Sequence, residues 1–102
     1  MSRLLASAPL GAERRRRSRF ACQLPVADGD VGTTCDLSRT GLGAIFVRRY
    51  WPDEALMVQI ASLDRRTLVV REATVAHLTG KVTGVEFREP LTLDELEALL
   101  RP

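Results

Sequence analysis

From Phe20 onward, apolar and polar residues alternate in short runs, and each run ends at a turn signal. Alternation with a period of two marks strands that bury one face. Phe20 to Ala27 reads as the first strand and leads into Asp28-Gly29-Asp30, a strong hairpin signal. Val31 to Leu37, Leu42 to Val47 and Ala55 to Ala61 read as the next three. Asp64-Arg65 marks a turn, Thr67 to Leu78 reads as one long strand or two broken ones, and Thr79-Gly80 turns the chain into Val82 to Phe87. No helical period separates these runs, so the predicted sheet is antiparallel and curls into a small barrel, which removes exposed edges. The chain then predicts one helix over 92–100. Pro90 ends the last strand, Thr92 is the N-cap, and Glu95 three residues later completes a capping box. Leu91 and Leu96 stand at hydrophobic-staple positions, and Leu93, Leu96 and Leu100 share the face expected to pack over one end of the barrel.

With 102 residues, 45% of them hydrophobic and 27% charged, the chain is sized and composed as one small globular domain. No apolar run approaches the ~18–20 residues that span a bilayer, so direct membrane insertion is not expected. Residues 1–13 read as a flexible arm, with Pro9 and Gly11 as breakers, and residues 14–102 as the domain. The arm has no long apolar stretch, and arginines stand where a cleavage site would lie, so a signal peptide is not predicted and a cytoplasmic location is expected. Charge sharpens this division. Fourteen of the fifteen basic residues are arginine, and Arg14, Arg15, Arg16, Arg17 and Arg19 fall within six positions. Removing those five leaves 10 basic against 13 acidic residues, a remainder of −3. A general nucleic-acid binder spreads basic charge over a face; here it is concentrated in one segment, as suits a local anion site.

Catalysis has no candidate residues. His77 is the single histidine and lies within a strand pattern, where a structural role is the expectation. No Gly-rich loop leads from a strand into a helix, and no His, Cys or carboxylate cluster has metal-ligand spacing, so no metal is predicted. Cys22 and Cys35 read as two buried, reduced thiols, although a turn centred on Asp28-Gly29 would set them opposite each other across the hairpin.

The segments flanking that hairpin carry the chemistry. Before it stands Glu13-Arg14-Arg15-Arg16-Arg17-Ser18-Arg19, and after it Asp36-Leu37-Ser38-Arg39-Thr40-Gly41. A hairpin returns the chain to its start, so the two segments should meet. Guanidinium forks match phosphate oxygens and the O6/N7 edge of guanine. The Asp36 carboxylate can accept from guanine N1 and N2, Ser38 can donate to a phosphate, and Gly41 permits a tight turn. The combination suits an anionic nucleotide containing guanine. For Asp36 and Ser38 a plain turn, in which polar side chains satisfy backbone groups, is the alternative.

These paired motifs resemble the PilZ domain, a bacterial receptor for cyclic di-GMP. The family's RxxxR motif falls on Arg15 and Arg19, and its (D/N)xSxxG motif on Asp36, Ser38 and Gly41, with no motif residue missing. The resemblance covers residues 13 to about 100, including Gly84-Val85-Glu86-Phe87 before the helix. It implies an all-β fold with one C-terminal helix, a six-stranded antiparallel barrel over 20–88, and a non-catalytic receptor. It further implies ligand binding by Arg14, Arg15, Arg19, Asp36, Ser38 and Gly41, with one or two cyclic di-GMP molecules per chain. An extra arginine at Arg14 should favour the pair, because two stacked ligands carry four phosphate charges. The roles of Arg16, Arg17 and Arg39 stay open. Ordering of the arm on ligand binding would alter contact with an unidentified protein effector in motility, pilus or exopolysaccharide machinery. Two other readings stand beside this one: a PilZ-like adaptor that binds no nucleotide, and a barrel that holds single-stranded nucleic acid. The second lacks aromatic stacking platforms.

Overall fold

The computed structural model describes residues 18–101. The strands are β1 (Phe20–Ala21), β2 (Pro25–Asp28), β3 (Asp30–Leu37), β4 (Gly41–Phe46), β5 (Ala55–Ala61), β6 (Leu68–Thr79) and β7 (Val82–Phe87), followed by helix α1 (Leu93–Leu100). Every pairing is antiparallel. β3 pairs with β4, β4 with β7, β7 with β6, β6 with β5, and β5 with β2, which returns to β3 and closes the ring. The short β1 pairs with the distal part of β3. The fold is therefore a closed six-stranded antiparallel barrel with one C-terminal helix, as expected from the sequence.

The expected single strand from Phe20 to Ala27 is broken in two. Ala21 opposes Asp36 and Pro25 opposes Thr33, so Cys22, Gln23 and Leu24 face only Thr34 and Cys35. Three residues against two disrupt the ladder. The Thr34 hydroxyl repairs part of it by accepting from the Leu24 amide at 2.8 Å, while the Thr34 amide donates to the Leu24 carbonyl at 3.0 Å. At the other end of the hairpin, Gly29 adopts φ +75°, which a residue with a β-carbon rarely takes. The cysteines do oppose each other, since the Cys22 amide donates to the Cys35 carbonyl at 3.1 Å. Both are free thiols and half-buried rather than buried, and burial pushes the Cys22 thiol above its usual pKa.

Alternation fills the barrel. On β5, Leu56, Val58 and Ile60 point inward; β3 and β4 add Leu37 and Leu42, and β7 adds Val85 and Phe87. The capping box forms as the sequence predicts: the Glu95 amide donates to Thr92 Oγ1 at 3.0 Å, and the Thr92 amide to Glu95 Oε1 at 2.8 Å. The helix face differs from the expectation. Leu96 and Leu99 are buried, Leu100 only partly, and Leu93 is 67% exposed. Leu91, just before the helix, is fully buried and joins the core cluster, while Leu93 faces outward.

Candidate ligand-binding site

The site is organised by an irregularity in β3. Thr34 pairs with Ala44 and Asp36 with Gly43, so Cys35 is an extra residue in the β3–β4 ladder. Thr34 points into the barrel, and strict alternation would send Asp36 inward as well. The bulge shifts the parity: Leu37 returns to the core and Asp36 emerges on the outer face.

There Asp36 meets the end of the arginine segment. Arg19 Nε donates to Asp36 Oδ1 at 3.1 Å, and Arg19 Nη2 lies 2.9 Å from the same oxygen. The Gly43 amide also donates to Oδ1, at 3.0 Å, and fixes the carboxylate against β4. These bonds converge on one oxygen, Oδ1. The pair is accessible, with side chains 43% and 34% exposed. Arg14 and Arg15, like Arg16 and Arg17, lie outside the described residues.

The rest of the second motif is occupied with holding the turn. Ser38 is fully buried; its hydroxyl accepts from the Thr40 and Gly41 amides, each at 3.2 Å, and lies 3.2 Å from the Gly41 carbonyl oxygen. Gly41 is needed for close approach rather than for a special φ, because a β-carbon there would collide with the Val85 carbonyl oxygen on β7. Arg39 does not face open solvent. Its Nε donates to the Leu91 carbonyl at 2.9 Å and its own carbonyl accepts from the Leu91 amide at 2.7 Å, which latches the β3–β4 turn to the start of α1.

The motif geometry stands on a closed barrel, and the PilZ domain family model matches residues 13–101, nearly the whole chain. The chain belongs to the PilZ domain family. PilZ domains are binding modules rather than enzymes. A search among curated proteins finds no match. Among the described residues of this PilZ domain, no group of three or more His, Cys, Asp or Glu is placed to hold a metal ion. No described helix is long and apolar enough to cross a membrane.

His77 is exposed on the outer face of β6 and pairs with Gly84, which pairs in turn with Gly43 beside Asp36. Gly84 permits the close approach of the His77 ring, since glycine inside a strand marks a bulge or a close approach.

Proposed function

We propose that this PilZ domain is a receptor for cyclic di-GMP, in which Arg14, Arg15 and Arg19 bind the ligand together with Asp36. The observation that carries the reading is the Arg19–Asp36 pair, which joins two motifs 17 positions apart on one accessible face. Arg19 supplies a fork for phosphate or for the O6/N7 edge of guanine, and Asp36 accepts from guanine N1 and N2. Ser38 and Gly41 shape the turn that presents Asp36. A micromolar dissociation constant corresponds to about −8 kcal/mol, within reach of several charge-assisted hydrogen bonds at roughly 1.5–3 kcal/mol each after ordering costs. Neutralising the arginine run would order the arm against the barrel and change the surface offered to a protein effector. The extra charge of Arg14 favours two ligands over one.

Calorimetric titration of cyclic di-GMP into the wild type, Arg19→Ala and Asp36→Ala tests the proposal, with GTP and cyclic di-AMP as competitors. Saturable binding of cyclic di-GMP alone, weakened at least tenfold in both variants, is the expected result, and the stoichiometry tests Arg14. A wild type that gives no heat at high micromolar ligand would overturn the receptor reading in favour of an adaptor.

A further inference from the structure

At the C-terminal end of β4 the outer face of the barrel turns apolar. Val31 on β3 and Val47 just past β4 stand opposite each other, the Val47 amide donating to the Val31 carbonyl at 3.3 Å. Their side chains are 71% and 85% exposed, and strand alternation puts Ile45 on the same outer face. Ile45 and Val47 line a concavity of about 340 Å³, with Leu78 from β6 and the turn at Gly80 also lining it. Three cations line it too, Arg48, Arg49 and Lys81, and among the described residues no carboxylate does. Arg48 is already engaged: it lies 4.3 Å from the centre of the Tyr50 ring, donates to Glu54 and stands 3.8 Å from Asp28. Arg49 and Lys81 are exposed and have no carboxylate partner among the described residues. Outside the arginine run the chain carries 10 basic against 13 acidic residues, so two unmatched cations beside exposed aliphatic groups run against its balance.

We infer that this end of the barrel is a docking surface for an extended acidic segment of a partner protein, whose apolar side chains enter the concavity while its carboxylates meet Arg49 and Lys81. The inference stands apart from the cyclic di-GMP reading. Apolar groups at the centre of such a contact supply most of its energy, and charges around them select the partner and fix its register. A basic or uncharged segment would cover Arg49 and Lys81 without offering a counter-charge. The walls, β4 and β6, flank β7 and stand two strand spacings apart, roughly 10 Å, which admits one extended chain. A lipid surface fits less well, because Ile45 and Leu78 are half-covered and line a recess, whereas a membrane anchor projects its apolar groups.

The probe is a fluorescent octapeptide with leucine and phenylalanine at its centre and glutamate or aspartate at both ends, followed by anisotropy. It is titrated with the wild type, Val47→Asp, the double variant Arg49→Glu/Lys81→Glu, and the variant Arg14→Ala/Arg15→Ala/Arg16→Ala/Arg17→Ala. Val47, Arg49 and Lys81 are all exposed, so the first two variants should unfold at the wild-type temperature. The expected result is saturable binding with a dissociation constant below about 1 mM, weakened about tenfold or more by Val47→Asp and by the double variant. The arginine-run variant should stay within about threefold of wild type. Lysine in place of the acidic residues of the peptide, or serine in place of its apolar ones, should cost about tenfold or more. No saturation up to about 1 mM overturns the inference. Binding unchanged in Val47→Asp and in the double variant but lost in the arginine-run variant overturns it too, and assigns acid recognition to that segment. Vesicles of phosphatidylglycerol and phosphatidylcholine are the last probe: if they bind the wild type but not Val47→Asp while the peptide does not bind, the surface is a lipid contact and the inference falls.

Discussion

Two of the arginine–carboxylate pairs among the described residues of this barrel have opposite uses. Arg71 is 18% exposed and fully engaged: Nε donates to the Glu89 carbonyl at 3.1 Å, Nη1 to the Val70 carbonyl at 3.1 Å, and Nη2 to Glu95. It ties β6 to the residues before α1 and to the capping carboxylate of the helix. Arg19 lies at the described N-terminal edge, and among the described residues Asp36 is its one ion-pair partner. The chemistry is the same and the surroundings differ. A guanidinium whose donors are met by carbonyls is part of the scaffold, whereas one held by a single accessible oxygen can take a ligand at little structural cost. Exposed pairs contribute about 0–1 kcal/mol to stability.

The largest stability effect should therefore come from the engaged pair. Arg71→Ala leaves the Glu89 and Val70 carbonyls and part of Glu95 without their donor, and should cost about 2 kcal/mol. For a domain of this size that lowers the unfolding midpoint by roughly 10 °C. The folded fraction should still bind cyclic di-GMP within about twofold of wild type. If Arg71→Ala weakens binding as much as Arg19→Ala does, the division between scaffold and site is wrong. A smaller effect is expected for Arg19→Ala: less than about 1 kcal/mol in stability beside its tenfold or greater loss of affinity. Denaturant titration with and without ligand separates the two.

The smallest effect concerns pH. The Thr92 backbone amide, and after it Arg71, holds the Glu95 carboxyl below the usual glutamate range. A depressed carboxyl stabilises fully above its unfolded pKa of about 4.3, and that contribution fades as pH falls through the lower folded value. Glu95→Gln should be slightly less stable at neutral pH and should show a shallower loss from about pH 5 to 3. Urea midpoints across that window check it; an acid limb identical to wild type would show that Glu95 contributes nothing to the pH dependence.

Local patterns were legible in the order of residues. Strand alternation, the Gly29 turn and the Thr92–Glu95 box each depend on neighbours a few positions apart, and these contacts form wherever the chain is held. The expected helix face failed at Leu93 because periodicity alone cannot tell which leucines meet the barrel; Leu96 and Leu99 are the ones buried. The broken first strand escaped for a similar reason, since the mismatch between Cys22–Leu24 and Thr34–Cys35 exists only in the pairing.

The sequence by itself determined an all-β chain closed by a capped helix, two motifs brought together by a hairpin, and a charge imbalance concentrated in the segment before β1. Only the tertiary structure decided where those motif residues point. One extra residue at Cys35 turns Asp36 outward and Leu37 inward, the collision awaiting any side chain at Gly41 sets the approach of β4 to β7, and Arg39 is committed to Leu91. The row that joins Asp36 to His77 is likewise a product of register across β3, β4, β7 and β6. Register is settled by the packing of all the strands at once, so residues 41 positions apart come onto one row only when the strands pair.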